Sequence, residues 1–433
     1  MFLSSTNSRG MPLASACLFV AVLLFVHGCD TGAGWTGDRS DGSTASSTLI
    51  DPGSSDLYTE AKLNNALEQA EPLELTTAGL TIDGAVIDTS DVDVFDFGPA
   101  AIGDRIYAQL QPSNGLNGAV ALFDASGNCL LVNDHRNVYL GDSVPFIDLV
   151  MRQPTENCYL AVTTTPLYES PGSYQLYLQR VPGQPQSPYR PETILLHFAG
   201  ATKVTVGGRD PVDVPPFDAA DIDRSFRGQT DEIVADVVAR VREDFAGFNV
   251  TILSTSEGAR YDNSMTCVYF GTYDPGLLGV AEGVDEFNTL GPQEAFVFTD
   301  TFAAFMVISP TADELSQALA NVASHEAGHL LGLVHTTDYD DLMDITASLN
   351  RLLQDQYFTR APLHPEVFPL GYQDGVQTLL NTAGGDAEAV QAALAGRLEK
   401  TPAARVNYGG PPARATLLLS AHRPRTGGYA ESD

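Results

Sequence analysis

The sequence predicts a multidomain protein in which an all-β sandwich precedes an α+β domain. Three observations predict it. Between about residues 59 and 181, apolar residues alternate in the period-2 sense between turn signals. Val181 to Pro191 then carries four prolines in eleven residues. Beyond that break, apolar residues at i, i+3, i+4 spacing alternate with short β-branched runs. At roughly 150 residues per domain, a chain of 433 residues is long enough for two or three folded units.

Composition narrows the function. The chain is 43% hydrophobic and 18% charged, a globular balance and not that of a disordered or collagenous protein. Its net charge of -32 comes from scarce bases, 23 Lys+Arg against 55 Asp+Glu. No basic stripe is present to displace counterions from phosphate, which excludes a nucleic-acid role. Cationic substrates and calcium ions remain compatible with such a charge.

The elements follow in order. Arg9 is the only charged side chain before residue 30, and residues 13–26 form an apolar run. The run suits a signal-peptide core but is too short to span a bilayer. It ends in Val26-His27-Gly28-Cys29, which resembles the lipobox of bacterial lipoproteins. That resemblance implies a signal peptide at 1–28, acylation of Cys29, and a membrane anchor at the bacterial cell envelope or its extracellular face. Residues 29–58, rich in Gly, Ser, Thr and Asp, read as a flexible tether.

Residues 59–181 read as an antiparallel sandwich. Val92, Val94 and Phe97, Ile106 to Leu110, Ala119 to Phe123, Tyr159 to Val162 and Tyr174 to Leu178 are its strands. The runs Asp91-Val92-Asp93-Val94-Phe95-Asp96-Phe97, Leu122-Phe123-Asp124 and Gly172-Ser173-Tyr174 resemble the jelly-roll-like pre-peptidase C-terminal (PPC) domain of secreted bacterial peptidases. In that family calcium sometimes binds, which makes Asp91 and Asp93 candidate calcium ligands beside the plainer reading as solvated acids. Cys129 and Cys158 are a candidate disulfide in an exported chain, while Cys267, in an apolar run, reads as a buried free thiol. Residues 182–191 form the linker.

Residues 192–375 form the α+β domain. Ile194 to Phe198, Asn249 to Leu253, Thr266 to Phe270 and Ala295 to Phe298 are strands. Thr230 is expected to cap a helix that presents Ile233, Val234, Val237, Val238, Val241 and Phe245 on one face. A second helix opens at Thr311 with Glu314 completing a capping box.

That helix carries His325-Glu326-Ala327-Gly328-His329-Leu330-Leu331-Gly332-Leu333-Val334-His335. Histidines at i and i+4 share a helix face and can chelate one ion. Gly332 can adopt the left-handed conformation that ends the helix, which brings His335 in from outside as a third ligand. Three neutral imidazoles leave a fourth tetrahedral position for water, the arrangement of catalytic zinc sites. Glu326, next to the first ligand, suits the general base that takes a proton from zinc-bound water and passes it to a leaving amine.

This spacing resembles the metzincin clan of zinc peptidases, whose fold is a zincin-like α+β domain. The test of that resemblance is a methionine turn downstream, and Asp341-Leu342-Met343-Asp344 supplies one at a matrixin-like distance. The resemblance implies that Met343 lies beneath the metal without binding it. Where astacins have a metal-reaching tyrosine this chain has Ile345, and where matrixins have serine it has Thr336. The resemblance also implies that an extended substrate pairs with an edge strand, for which residues 294–298 are the candidate. In the loop from Gly279 to Asn288, Asp285 is a further candidate calcium ligand, against a plain acidic loop. Residues 376–433 read as a partly disordered extension, Gly/Pro-rich and basic from Arg397 onward.

The function expected from these features is that of an exported, lipid-anchored zinc endopeptidase acting on protein or peptide substrates. The alternatives are an inactive cell-surface binding protein on the same fold, or a different zinc hydrolase such as an exopeptidase. No Lys or Arg occurs between Arg260 and Arg351, so the cleft is expected to favour basic peptides.

Overall fold

The computed structural model describes residues 56–59, 64–134, 144–166 and 170–400. The signal peptide, Cys29, the tether before residue 56 and the basic segment after residue 400 lie outside the described residues. The strands of the first domain are β1 (Asp56–Thr59), β2 (Glu71–Pro72), β3 (Leu80–Val86), β4 (Asp93–Asp96), β5 (Arg105–Ser113), β6 (Gly118–Phe123), β7 (Cys129–Asn133), β8 (Phe146–Val150), β9 (Tyr159–Thr164) and β10 (Gly172–Val181). They form two five-stranded sheets, ordered β1-β3-β10-β5-β8 and β2-β4-β9-β6-β7. Between them Ile82, Ile106, Leu110, Leu122, Leu160 and Leu176 are fully buried, so the sandwich expected from the alternation is present. Every residue of β6 is buried, because the sheet's outer face is covered as well.

One expectation for this domain is corrected. Cys129 and Cys158 are free thiols. Cys129 lies on β7 and Cys158 just before β9, with β6 between those strands; two strand spacings of about 4.8 Å put them beyond disulfide reach. Asp91 and Asp93 make contacts within the fold, Asp91 Oδ2 accepting from Ile87 N at 2.7 Å and buried Asp93 accepting from Tyr174 Oη at 2.7 Å, and among the described residues they join no cluster of three or more possible metal ligands.

The linker is docked. Gln184 N donates to Gly103 O at 2.7 Å, and Arg152 donates to Ser187 O at 2.7 Å while its guanidinium lies 4.5 Å from the centre of the Tyr189 ring. The second domain begins with β11 (Glu192–His197), the hairpin β12 (Ala201–Val204) and β13 (Val212–Val214), and α1 (Ala219–Ile222). It continues with α2 (Thr230–Asp244), β14 (Val250–Ser254), β15 (Thr266–Phe270), β16 (Gly279–Ala281) and β17 (Glu294–Val297). The remaining elements are α3 (Ala312–His329), α4 (Leu349–Leu352), the hairpin β18 (Arg360–Pro362) and β19 (Tyr372–Asp374), α5 (Gly375–Thr382) and α6 (Ala387–Lys400).

The main sheet runs β14-β11-β15-β17-β16, parallel except for antiparallel β16. The edge beside β17 is therefore β16, which corrects the expectation that residues 294–298 form the edge. Thr230 is the first residue of α2 and does not cap it: its hydroxyl donates to Asp218 at 2.8 Å and accepts from Ala219 N at 3.1 Å. Thr311 and Glu314 form the expected capping box. Beyond residue 375 the described residues form α5 and α6, and Arg397, read as the start of a loose tail, is buried against Asp244 and Asp355.

Candidate metal centre

Helix α3 is buried along its length from Leu315 to His329, so its two histidines project into the protein's interior and not into solvent. Its end is sharp. Leu333 N donates back to Gly328 O at 2.9 Å, and Gly332 takes φ +98°, where a Cβ would come within 3.0 Å of Asp285 O. The chain then turns back, and His335 joins His325 and His329. One ring nitrogen from each lies within 4.8 Å of the others, and among the described residues this is the only group of three or more His, Cys, Asp or Glu placed to hold an ion. Asp285 is buried elsewhere in its own loop, its carboxylate accepting from Thr289 N and Leu290 N, both at 2.9 Å. Among the described residues it joins no cluster of three or more possible metal ligands, so its reading as a calcium ligand gains no support.

The outward nitrogens of the three rings are all fixed. His325 Nδ1 meets Leu342 O at 2.7 Å, His329 Nδ1 meets Leu333 O at 2.8 Å, and His335 Nδ1 meets Glu366 Oε1 at 2.7 Å. A carbonyl or carboxylate can only accept, so each Nδ1 carries the proton, and in neutral rings each Nε2 presents a lone pair. His329 Nε2 and His335 Nε2 stand 3.0 Å apart, and buried His325 Nε2 has no protein partner. Lone pairs facing each other at that distance repel unless a cation lies between them. Two nitrogens bound at about 2.0–2.1 Å to one tetrahedral zinc would stand roughly 3.3 Å apart. The donor set therefore fits zinc. Burial above all pushes His325 down to about 3, which keeps it neutral.

Glu326 is fully buried, both its carboxylate oxygens lack a protein donor, and burial holds its carboxyl well above the ordinary range. It packs against Gly279 on edge strand β16, where a Cβ would come within 2.3 Å of Oε1. Met343 lies beneath α3, its sulfur 2.7 Å from the position a Cβ would take on Gly328. The turn holding it is organised by Asp341, which accepts from Met343 N and from the hydroxyls of Thr336 and Thr359.

Every motif residue predicted from the sequence thus converges here: His325, Glu326, His329, Gly332, His335 and Met343. Two residues were missed. Glu366, 31 positions beyond His335, is buried against its Nδ1. Burial opposes its ionisation, but the hydrogen bond from His335 helps bring it below the ordinary carboxylate range. Gly279 was read only as the start of an acidic loop. Neither position carries a spacing signal that sequence could offer.

Neither a family model nor a curated protein matches the chain. Among solved structures it is similar to the pre-peptidase C-terminal domain of a collagenase from Bacillus anthracis, at 18% identity and a TM-score of 0.20, covering 25% of this chain and 94% of that one. It is also similar to archaemetzincins from Methanopyrus kandleri (14% identity, TM-score 0.23, covering 40% of this chain and 89% of that one) and Archaeoglobus fulgidus (14%, 0.20, 38% and 92%). These likenesses are slight, and the chemistry of the site rests on its own side chains.

Proposed function

We propose that the chain is an exported zinc endopeptidase, lipid-anchored at Cys29, that hydrolyses peptide bonds with Glu326 as general base. The observation that carries this reading is the convergence of three imidazole lone pairs, each ring locked through Nδ1, next to a buried carboxylate with no protein donor. His325, His329 and His335 would hold zinc, and the bound ion would supply a Lewis acid that acidifies water and polarises a carbonyl. Glu326 takes the proton of the attacking water and returns it to the leaving amine nitrogen. Burial raises its carboxyl above the ordinary carboxylate range, which makes it a stronger base than an exposed glutamate. Edge strand β16 offers main-chain pairing to an extended peptide, which favours cleavage within chains and tolerance of sequence. Ile345, buried beyond the methionine turn, supplies no hydroxyl, so carbonyl polarisation falls to the metal and backbone.

The test is cleavage of casein and of a peptide pool by the full chain, with and without a chelator, beside Glu326→Ala. Chelator-sensitive internal cleavage that is lost in the variant is expected. Wild-type protein that binds zinc yet cuts no peptide would sink the enzyme reading, and products shortened only from one end would favour an exopeptidase. Acylation is tested separately by metabolic labelling with palmitate, which Cys29→Ser should abolish.

A further inference from the structure

We propose that the β-sandwich holds the third metal-binding histidine in place, with Gln373 and Arg360 as positioning residues. The proposal rests on reading the histidine triad as a metal site. His325 and His329 are set by the rigid geometry of α3, but His335 lies beyond the helix end and depends on what grips its segment. Three contacts do so. Gln373 of β19 uses its amide as a strand would, accepting from Val334 N at 2.7 Å and donating to Val334 O at 2.9 Å. His364 N donates to His335 O at 2.9 Å. Glu366 fixes the ring itself. All three come from the segment that runs from β18 through β19.

That segment in turn leans on the first domain. Asp124 folds the sandwich's β6–β7 turn by accepting from Ser126 N, Asn128 N and Asn128 Nδ2. The turn then holds the hairpin. Gly127 O accepts from Tyr372 N at 2.9 Å, while Arg360 donates to Asn128 Oδ1 and Ser126 O, both at 2.7 Å. The Arg360 guanidinium lies 3.8 Å from the centre of the Tyr372 ring. Phe123, at the end of β6, packs on Phe368 with ring centroids 5.7 Å apart, and Gly371 leaves room for it: at φ +92°, a Cβ there would lie 2.3 Å from the Phe123 ring. Val334 itself belongs to the same apolar cluster as Ala119, Ala121 and Phe123 of β6. The sandwich is therefore in mechanical continuity with the residue next to a ligand, and each joint is a specific polar or packed contact.

Partners that orient metal ligands typically contribute ten- to hundredfold to metal affinity. The full chain is titrated with zinc against a chromophoric chelator, and its cobalt(II) form is followed by visible absorption. Gln373→Leu keeps the side chain's bulk but removes the amide, Arg360→Ala alters an exposed residue, and the urea midpoint of each variant checks that it folds. Both should weaken zinc binding at least tenfold and shift the cobalt bands. Leu176→Ala, in the sandwich core away from the hairpin, should lower the urea midpoint while leaving zinc affinity and the cobalt spectrum unchanged. The brace is overturned if Gln373→Leu and Arg360→Ala bind zinc like wild type, or if Leu176→Ala weakens binding as much as they do. A wild-type chain that binds no zinc overturns the metal site itself and the brace with it, and is told apart from the first two outcomes by that control alone.

Discussion

Gly279→Ala puts the proposed general base under the most direct test the structure offers. Gly279 lies in extended backbone on β16, paired with Val297, so alanine is compatible with its conformation. The cost falls on Glu326. An added Cβ would stand 2.3 Å from Oε1 and 2.8 Å from both Cδ and Cγ. Ordinary contact begins at about 3.4 Å, so the carboxylate must retreat by roughly 1 Å within a fully buried site. A displacement of that size at a reacting group costs about a hundredfold, or about 2.7 kcal/mol of transition-state stabilisation at 1.36 kcal/mol per tenfold. The assay is kcat/KM on a fluorogenic peptide, read beside zinc content and the urea midpoint. We expect kcat to fall about a hundredfold while one zinc per chain is retained, because the three atoms nearest the new methyl all belong to Glu326. Near-wild-type turnover at full zinc occupancy would refute the reasoning, since Glu326 would then not need the position that only glycine leaves open.

Arg397→Ala removes the partner of Asp244, whose side chain is 1% exposed and whose other oxygen is held by Ser324 at 2.5 Å. An unpaired buried carboxylate should cost about 3–5 kcal/mol in urea unfolding, and a loss below about 1 kcal/mol would show that the pair is solvated. Lys- or Arg-flanked peptides should be preferred, with kcat/KM falling as salt rises; a profile enriched in acidic flanks would overturn the predicted negative cleft. Burial pushes the Cys158 thiol up to about 12 and raises Cys267 as well. Both should resist alkylation until the chain unfolds, and a Cys129–Cys158 cross-linked peptide in a non-reducing digest would contradict the strand order.

The local motif was legible in the sequence because its chemistry is encoded by spacing along one element. His325 and His329 stand one helical turn apart, and Gly332 marks the turn that returns His335. What supports those ligands was not legible, because it is brought together by tertiary contact. Glu366 meets His335 only through the β18–β19 segment, and Gly279 meets Glu326 only because β16 folds back beside β17. That fold-back also displaced the predicted edge, since a three-residue strand beginning in glycine gives little periodic signal. The same limit governed the cysteines: residues 129 and 158 share a sheet, but β6 between their strands cannot be read from spacing.

One long-range feature did leave a trace. Ala119-Val120-Ala121-Leu122-Phe123 was read as one strand of an alternating sandwich, yet it does not alternate: all five residues are apolar. A strand apolar on both faces must be covered on both faces. In the structure Val120 and Leu122 face the partner sheet, while Ala119, Ala121 and Phe123 pack with Val284, Val334, Leu363, Val367 and Phe368 of the second domain. The missing polar face of β6 is thus the sequence record of a domain interface. It argues that the sandwich evolved as a wall of the metal domain and not as a module on a free tether, because an exposed Ala-Ala-Phe face would otherwise be an aggregation hazard. Phe123→Asp puts that to the test. A charge buried against Phe368 should destabilise the second domain together with the first, merging their losses into one unfolding transition. Separate transitions, with only the sandwich shifted, would mean that the two domains do not depend on this face.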